Sequence, residues 1–510
     1  MQANGMSRVA RLSELRDGGI VRVKAGDAEL VIVRDGDVVS AFAAACPHAG
    51  APLEEGAVCH RRLVCPWHKA TFSLIDGSIV EPPALEPLTR YPVLIEGDDV
   101  LIAARAIEGE PDVERIDGRQ MLILGSGAAG TAAAFALREA EFAGTITMIG
   151  EEAPEPYDRT VLSKFVLADM SPTDVPPLRR DADWKRLRID RKEATIARLD
   201  AAGRRVHLSD GTEMGYDAAI LATGATPNVP KIPGVALGGV HPLRSLQDAA
   251  FIVALARPGA RAVIVGASFI GLEAASALRG RGVRVIVVAP ETIPFERQFG
   301  PEIGAMFRRL HEANGTEFRF GAKVDRFEGT EVVDTVVLGS GERLPADLVV
   351  LGVGVSPTTT FVEGVRKAED GGILVDASMR ATDGLYVAGD SARFPYGGAH
   401  IRVEHWRVAQ QHGRVAAANV AGLDRRFTAP PFFWTYHFGN RFEYIGHAEH
   451  WDRVHIDGDL ESQRFVAFQV RDDAVAGVIA CQREHATALL IERMREPLPL
   501  AEAIGLARNA

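Results

Sequence analysis

Cysteine is the first thing this chain has little of. Four in 510 residues cannot frame a disulfide-rich fold, and sparse thiols suit a reducing, cytoplasmic setting. Long apolar runs are also missing. Nothing reaches the ~18 consecutive apolar residues of a membrane-spanning helix, so no membrane partner is expected. The first residues, MQANGMSRVARLSELRDGG, carry charges and no apolar stretch, which leaves no expected secretory signal. Basic runs do not occur, and a formal charge of −11 argues against a nucleic-acid partner. What remains is an ordinary globular composition, 47% apolar and 25% charged. Its length exceeds one core and should divide into about three or four domains.

The pattern changes character along the chain. Residues 8–105 alternate short β-rich stretches with the turn pairs Asp35-Gly36, Asp76-Gly77 and Gly97-Asp98, which reads as a small all-β domain. The segment IEGEPDVERIDGR, 107–119, is polar and acidic and reads as a linker. From Gln120 onward, MLILGSGAAGTAAAFALREAEFAGTITMIGEE follows the order strand, Gly-rich turn, Ala-rich helix, strand. A second such unit begins at Arg261 with RAVIVGASFIGLEAASALRGRGVRVIVVAPE. Two βαβ starts about 140 residues apart predict two Rossmann-like α/β domains rather than a solenoid. The tail beyond residue 426 mixes strand-like stretches with a late helical one and reads as a small α+β domain. The expected division is 1–107, linker 108–118, 119–238 with 357–425, 239–356, and 426–510.

Two of the four cysteines sit in CPHAGAPLEEGAVCHRRLVCPWHK, where the spacing is C-x-H, sixteen residues, C-x-x-H. A zinc finger pairs its cysteines on one knuckle and spaces its histidines three to five residues apart. Here each knuckle offers one Cys and one His. That is the distribution a Rieske [2Fe–2S] centre needs, with Cys46 and Cys65 on one iron and His48 and His68 on the other. A zinc site or an unliganded set stands as the alternative. The segment resembles the Rieske family, with two departures. Where respiratory members carry an extra disulfide, this chain has Ala51 and Trp67. Where they place hydroxyl donors past the last histidine, it has Ala70 and Phe72. Fewer hydrogen bonds to a cluster lower its potential, so the resemblance implies the low end of the range, about −150 mV. Lys69 stands where the family usually has glycine and reads as a solvent-pointing side chain, with a docking or cluster-facing charge as the alternative.

The two glycine-rich turns sit where a dinucleotide fingerprint belongs, after a strand and opening a helix. In Gly125-Ser126-Gly127-Ala128-Ala129-Gly130 the glycines permit a tight turn and bring N–H groups to a pyrophosphate. Glu151, at the next strand end, suits a ribose hydroxyl. In Gly266-Ala267-Ser268-Phe269-Ile270-Gly271 a serine replaces the middle glycine, and its hydroxyl is available to donate a compensating bond. Glu291 suits a free 2′-hydroxyl, and no arginine stands beside it, which favours NADH over NADPH.

Further stretches resemble the apoptosis-inducing-factor and oxygenase-coupled ferredoxin reductase family: PYDRTVLSK (156–164), ILATGATPNVP (220–230), PLRSLQD and GLYVAGDSA (384–392). The resemblance implies FAD contacts for Arg159, Lys164, Arg244 and Asp390, with Lys164 on the flavin N5 side. It implies that Glu273, Gly352, Gly354, Glu404, His405 and Trp406 lie along the nicotinamide–flavin stack. Trp434 would border the flavin or serve as a core aromatic. Disulfide reductases share this architecture but need a reactive cysteine pair near the flavin. Cys59 and Cys481 lie outside every flavin motif and read as structural.

Together the modules are similar to Rieske-bearing, apoptosis-inducing-factor-like NAD(P)H ferredoxin reductases. The resemblance implies electron flow from NADH to FAD to an internal [2Fe–2S] cluster and on to an external acceptor of oxygenase or P450 type. The chain would work as a monomer or homodimer, with no side chain acting as acid, base or nucleophile. An NADH-sensing redox signal protein is the alternative.

Overall fold

The computed structural model describes residues 6–107, 117–152 and 155–510. Most of the expected linker, 108–116, lies outside them. The N-terminal region is all-β, built from three small antiparallel sheets. Its expected turns form at Gly36, Gly77 and Gly97, each with positive φ. The strands Ala28–Asp35 and Val38–Ala43 pair with Val31 opposite Phe42, and Arg62–Val64 pairs with Thr71–Ser73 with Leu63 opposite Phe72. These four side chains are almost completely buried, in one core with Cys46 and Cys65.

The second region is organised by a six-stranded sheet with strand order Ile189–Glu193, Thr145–Gly150, Gln120–Leu124, Ala218–Leu221, Leu385–Val387, Arg380–Thr382. Its first five strands are parallel, so both faces are covered and the strands read as nearly continuous apolar runs. The helix Ala128–Glu139 packs on Trp406–Val420. Gly413 makes that approach possible: a Cβ there would stand 2.2 Å from the Ala129 carbonyl oxygen. The third region repeats the plan, with parallel strands Val240–Pro242, Leu348–Leu351, Arg261–Val265, Arg284–Ala289 and Thr316–Phe320. The C-terminal region is a five-stranded antiparallel sheet (Phe432–His437, Asn440–Gly446, Ala474–Cys481, Arg464–Arg471, Arg453–Asp459) with helices Glu484–Arg493 and Leu500–Asn509. Among the described residues no helix is long and apolar enough to cross a membrane.

The strand Phe432–His437 joins these parts. Side chains alternate along a strand, so Phe432 and Trp434 share one face while Phe433, Thr435 and His437 share the other. The first face packs into a core that includes Ala57 and Val64 of the N-terminal region. Phe433 packs instead with the third region's core.

Candidate functional site

The two Cys/His knuckles come together. Each follows a strand of the N-terminal sheets and is closed by backbone bonds, Cys46 N–H to Ala51 O at 2.9 Å and Cys65 N–H to Ala70 O at 2.8 Å. The thiols hydrogen-bond one another. The imidazoles face each other, with His48 Nδ1 3.0 Å from His68 Nδ1. Burial works against a Cys65 thiolate, but the Cys46 bond, the N–H groups of Trp67 and His68, and the Lys69 cation outweigh it and hold that thiol below its usual range. Burial pushes both histidines toward the neutral, ligating form. Among the described residues no three or more His, Cys, Asp or Glu side chains are set to hold a single metal ion, as a mononuclear zinc site requires. Thiols paired with thiols and imidazoles with imidazoles fit two irons carrying two ligands each.

The knuckles differ in exposure. In the first, Ala45, Pro47, Ala49 and Gly50 are exposed; in the second, Cys65, Pro66, Lys69 and Ala70 are buried. Lys69 is the clearest departure from expectation. Its side chain does not point to solvent but is fully buried, paired with Glu443 of the C-terminal sheet at 3.0 Å. The partner comes from 374 residues away, beyond the reach of any local pattern.

A cavity of about 640 Å³ opens beside this centre, between the second and third regions. It collects Gly125, Gly127, Ala128, Ala129 and Glu151 from the first fingerprint. Gly125 adopts φ +121°, and a Cβ there would stand 2.2 Å from the Ala222 carbonyl oxygen. At Gly130 a Cβ would meet the Gly125 carbonyl oxygen at 1.9 Å, so this glycine packs helix on turn and does not line the cavity. Around Gly127 nothing lies within 4 Å of the missing Cβ, the open approach a pyrophosphate needs.

The cavity is also lined by Arg159, Lys164, Arg244, Asp390, Glu404, His405 and Trp406. Arg244 pairs with Asp390 at 2.9 Å, while Arg159 donates to the Arg244 carbonyl and to Glu152. Lys164 Nζ donates to Glu273 at 3.0 Å. Glu273 therefore lies buried rather than on a helix surface, held also by Ser163 at 2.5 Å and Thr435 at 2.6 Å. Thr435 in turn contacts His437 at 2.8 Å. Ser163, Thr435 and His437 were not singled out by sequence; their side chains are small or neutral, and strand alternation gave a signal for Thr435 and His437 alone. Burial lifts Glu404 above the usual carboxylate range, against the pull of Arg402. It also drives His405 down to about 3. His405 Nδ1 and Trp406 Nε1 are buried with no protein partner. Unpaired polar atoms on the wall of a cavity this size fit a bound ring system with its own hydrogen-bonding edge.

The second fingerprint forms on the third region. Gly266 has φ +103°, its Cβ position 2.4 Å from the Gly352 carbonyl oxygen. Phe269 and Ile270 reach the cavity wall. The Ser268 hydroxyl accepts from Gly271 N–H at 3.2 Å and so caps the helix, which leaves its O–H proton for a further partner. Gly352 is pressed against this turn, with its Cβ position 3.2 Å from Ser268 Oγ. Gly354, at φ +87°, accepts from Asn228 N–H at 2.9 Å. Glu291 is exposed past the strand Arg284–Ala289. Gly266, Ser268, Gly352, Gly354 and Glu291 flank the cavity rather than line it. Cys481 is buried and Cys59 partly so, both apart from the cavity.

Trp434 joins the two centres. It lines the cavity, and its ring lies 4.1 Å from that of His68, centre to centre, tilted by 34°.

Three family models match the chain: pyridine nucleotide-disulphide oxidoreductase over residues 119–413, Rieske [2Fe-2S] domain over 5–92, and reductase C-terminal over 432–501. Apoptosis-inducing factor 3 of Mus musculus is 32% identical over 97% of this chain and 84% of its own length. The biphenyl dioxygenase system ferredoxin–NAD(+) reductase component of Paraburkholderia xenovorans is 34% identical, covering 72% of this chain and 91% of its own. Among solved structures, the ferredoxin reductase for the CYP199A2 system of Rhodopseudomonas palustris superposes with a TM-score of 0.71 at 28% identity, over 76% of this chain and all of that one. The covalent putidaredoxin reductase–putidaredoxin complex gives 0.71 at 27% identity, over 77% and 100%.

Proposed function

The chain belongs to the pyridine nucleotide-disulphide oxidoreductase family, with a Rieske [2Fe–2S] domain ahead of it and a reductase C-terminal domain behind. From that premise we propose an NADH-dependent ferredoxin reductase that carries its own ferredoxin. Electrons would pass from NADH to FAD, to the internal cluster, and to an external protein of oxygenase or P450 type. When bound, FAD converts two-electron hydride chemistry into single-electron steps, which a [2Fe–2S] cluster can accept.

The side chains divide the work. Gly125, Gly127, Ala128 and Ala129 would hold the FAD pyrophosphate at a helix N-terminus, and Glu151 would take a ribose hydroxyl. Arg244 and Asp390 brace each other and would meet the flavin's ribityl and phosphate chain. Lys164 and Glu273 form a buried ion pair at the reacting edge, so a cation is held there without an unpaired charge in the interior. Trp406 Nε1 and His405 Nδ1 supply free donors and acceptors. Gly266, Ser268, Gly271, Glu291, Gly352 and Gly354 form the NADH side, and the exposed Glu291 carboxylate would repel a 2′-phosphate. Cys46, His48, Cys65 and His68 hold the cluster. We take the domains at the boundaries expected from sequence, and a cytoplasmic monomer or homodimer as the working form.

The observation that carries this reading is Trp434, in ring contact with His68 while lining the cavity. A tethered module also meets the flavin at an effective concentration of about a millimolar, without a diffusional search. An anaerobic NADH titration followed by visible absorption and EPR tests the proposal. Flavin bleaching accompanied by a Rieske-type signal is expected. A colourless N-terminal region carrying zinc would sink it. Very slow turnover with a persistent long-wavelength band would favour the signalling alternative, which the likeness to apoptosis-inducing factor 3 supports only in part.

A further inference from the structure

Lys69 is a long cation, completely buried, one residue past a cluster ligand. Its backbone is left-handed, with φ +60°, a conformation a non-glycine side chain adopts at some cost. All its donors are directed to fixed acceptors: the Pro66 carbonyl, Glu443 Oε1 at 3.0 Å and the Glu484 carbonyl at 3.5 Å. Glu443 is itself held by the Thr487 hydroxyl and faces Arg441 at 3.4 Å. The same loop is gripped from its other side. Arg407, buried in the helix Trp406–Val420, donates to the Lys69 carbonyl at 3.1 Å and the Pro82 carbonyl at 2.8 Å. Beyond it, Glu81 accepts from Arg495 at 2.9 Å and from Gln411 at 2.5 Å.

Between these polar grips the contact is apolar. Ala57 and Val64 of the N-terminal region share one core with Phe432, Ile445, Val466 and Val478. A domain that swings needs a polar, weakly packed interface that can part and re-form. A partner that must dissociate on every turnover needs the same. This contact is built like the inside of a domain, with buried ions that allow one register only.

We propose that Lys69 is a positioning residue that keeps the Rieske module permanently docked, with His68 fixed against Trp434, so that electrons enter the cluster without any domain movement. The proposal extends the electron route given above, but docking itself can be measured independently of that route.

The test uses the full-length protein with its cofactors and three variants, Lys69→Met, Glu443→Gln, and the double Lys69→Met/Glu443→Leu. Hydrogen exchange is followed at residues 62–73 and 432–446. The cluster-reduction rate after mixing with NADH is followed as glycerol raises viscosity. Slow exchange at both segments and a rate independent of viscosity are expected for the unmodified chain. Each single variant should raise exchange at both segments at least tenfold, and the apolar double variant should recover most of the protection. Exchange unchanged in Lys69→Met, or a rate that falls in proportion to viscosity, overturns the proposal. Should the single variants fail to fold, the unmodified chain still tests whether the module stays docked, and fast exchange or a viscosity-dependent rate there overturns the proposal. If His68→Ala keeps full activity with cytochrome c, the electron route fails while protected exchange would leave the docking intact.

Discussion

The two ligand knuckles are near-copies in sequence, CPH and CPWH, yet they occupy opposite environments. The first leaves Ala45, Pro47, Ala49 and Gly50 exposed, while the second buries Cys65, Pro66, Lys69 and Ala70 against the reductase. Both make the same local closure, a Cys N–H to a carbonyl five residues on. Local chemistry therefore builds the knuckle, and packing decides which one faces inward. The inward knuckle packs His68 against Trp434; the outward one turns only His48 to that side, 3.9 Å from Asp158, and leaves Pro47, Ala49 and Gly50 of its loop exposed.

The largest expected effect is loss of a ligand on the inward knuckle. His68→Ala should abolish the Rieske EPR signal and the NADH–cytochrome c activity, leaving flavin absorption in place. Retained cytochrome c activity would place the cluster off the main route. Next comes Glu443→Gln, which strands the buried Lys69 cation and should cost about 3–5 kcal/mol in denaturant unfolding. The apolar double variant should recover most of that loss, because no charge is left unpaired. Trp434→Leu should slow electron arrival at the cluster by about tenfold, a barrier change of about 1.4 kcal/mol. NADH reduction of the flavin, watched by stopped flow, should be unchanged.

The buried side also has a pH signature. Burial drives His412 and His437 from 6.5 to about 3. Both stay neutral in the folded chain down to that pH, whereas the unfolded chain binds their protons below 6.5. Their contribution is therefore complete above pH 6.5 and is lost progressively as pH falls toward 3. His412→Leu should flatten the fall in stability between pH 6 and 4 by up to about 1.4 kcal/mol per pH unit, read from unfolding midpoints across pH. The smallest effect is expected on the outward knuckle, where Ala49→Ser should change stability by less than about 0.5 kcal/mol. A larger loss there would mean that the first knuckle is not open as described.

Motifs whose parts lie close together were legible in the sequence. Cys46 and His48, Cys65 and His68, and the turns at Gly125 and Gly266 answer to local constraints, since a ligand loop or a phosphate turn needs particular residues within a few positions. Alternating strands and alternating βαβ units likewise pointed to an all-β module and two Rossmann-like folds. Lys69 was legible only through the lesser alternative, a docking charge, because a lysine after a ligand reads as solvated until its partner is known. Ser268 was legible as a substitution but not as a helix cap, which depends on where its hydroxyl turns. Thr435 and His437 lay inside the strand-like tail without declaring which face they served.

By itself the sequence determined which cofactors the chain is built to hold, because their ligands and cradles are short-range patterns set by bond lengths and backbone geometry. The tertiary structure alone decided how those centres meet. A buried charge must find its partner wherever the fold brings one, here 374 residues along the chain, and the contact of His68 with Trp434 follows from that packing.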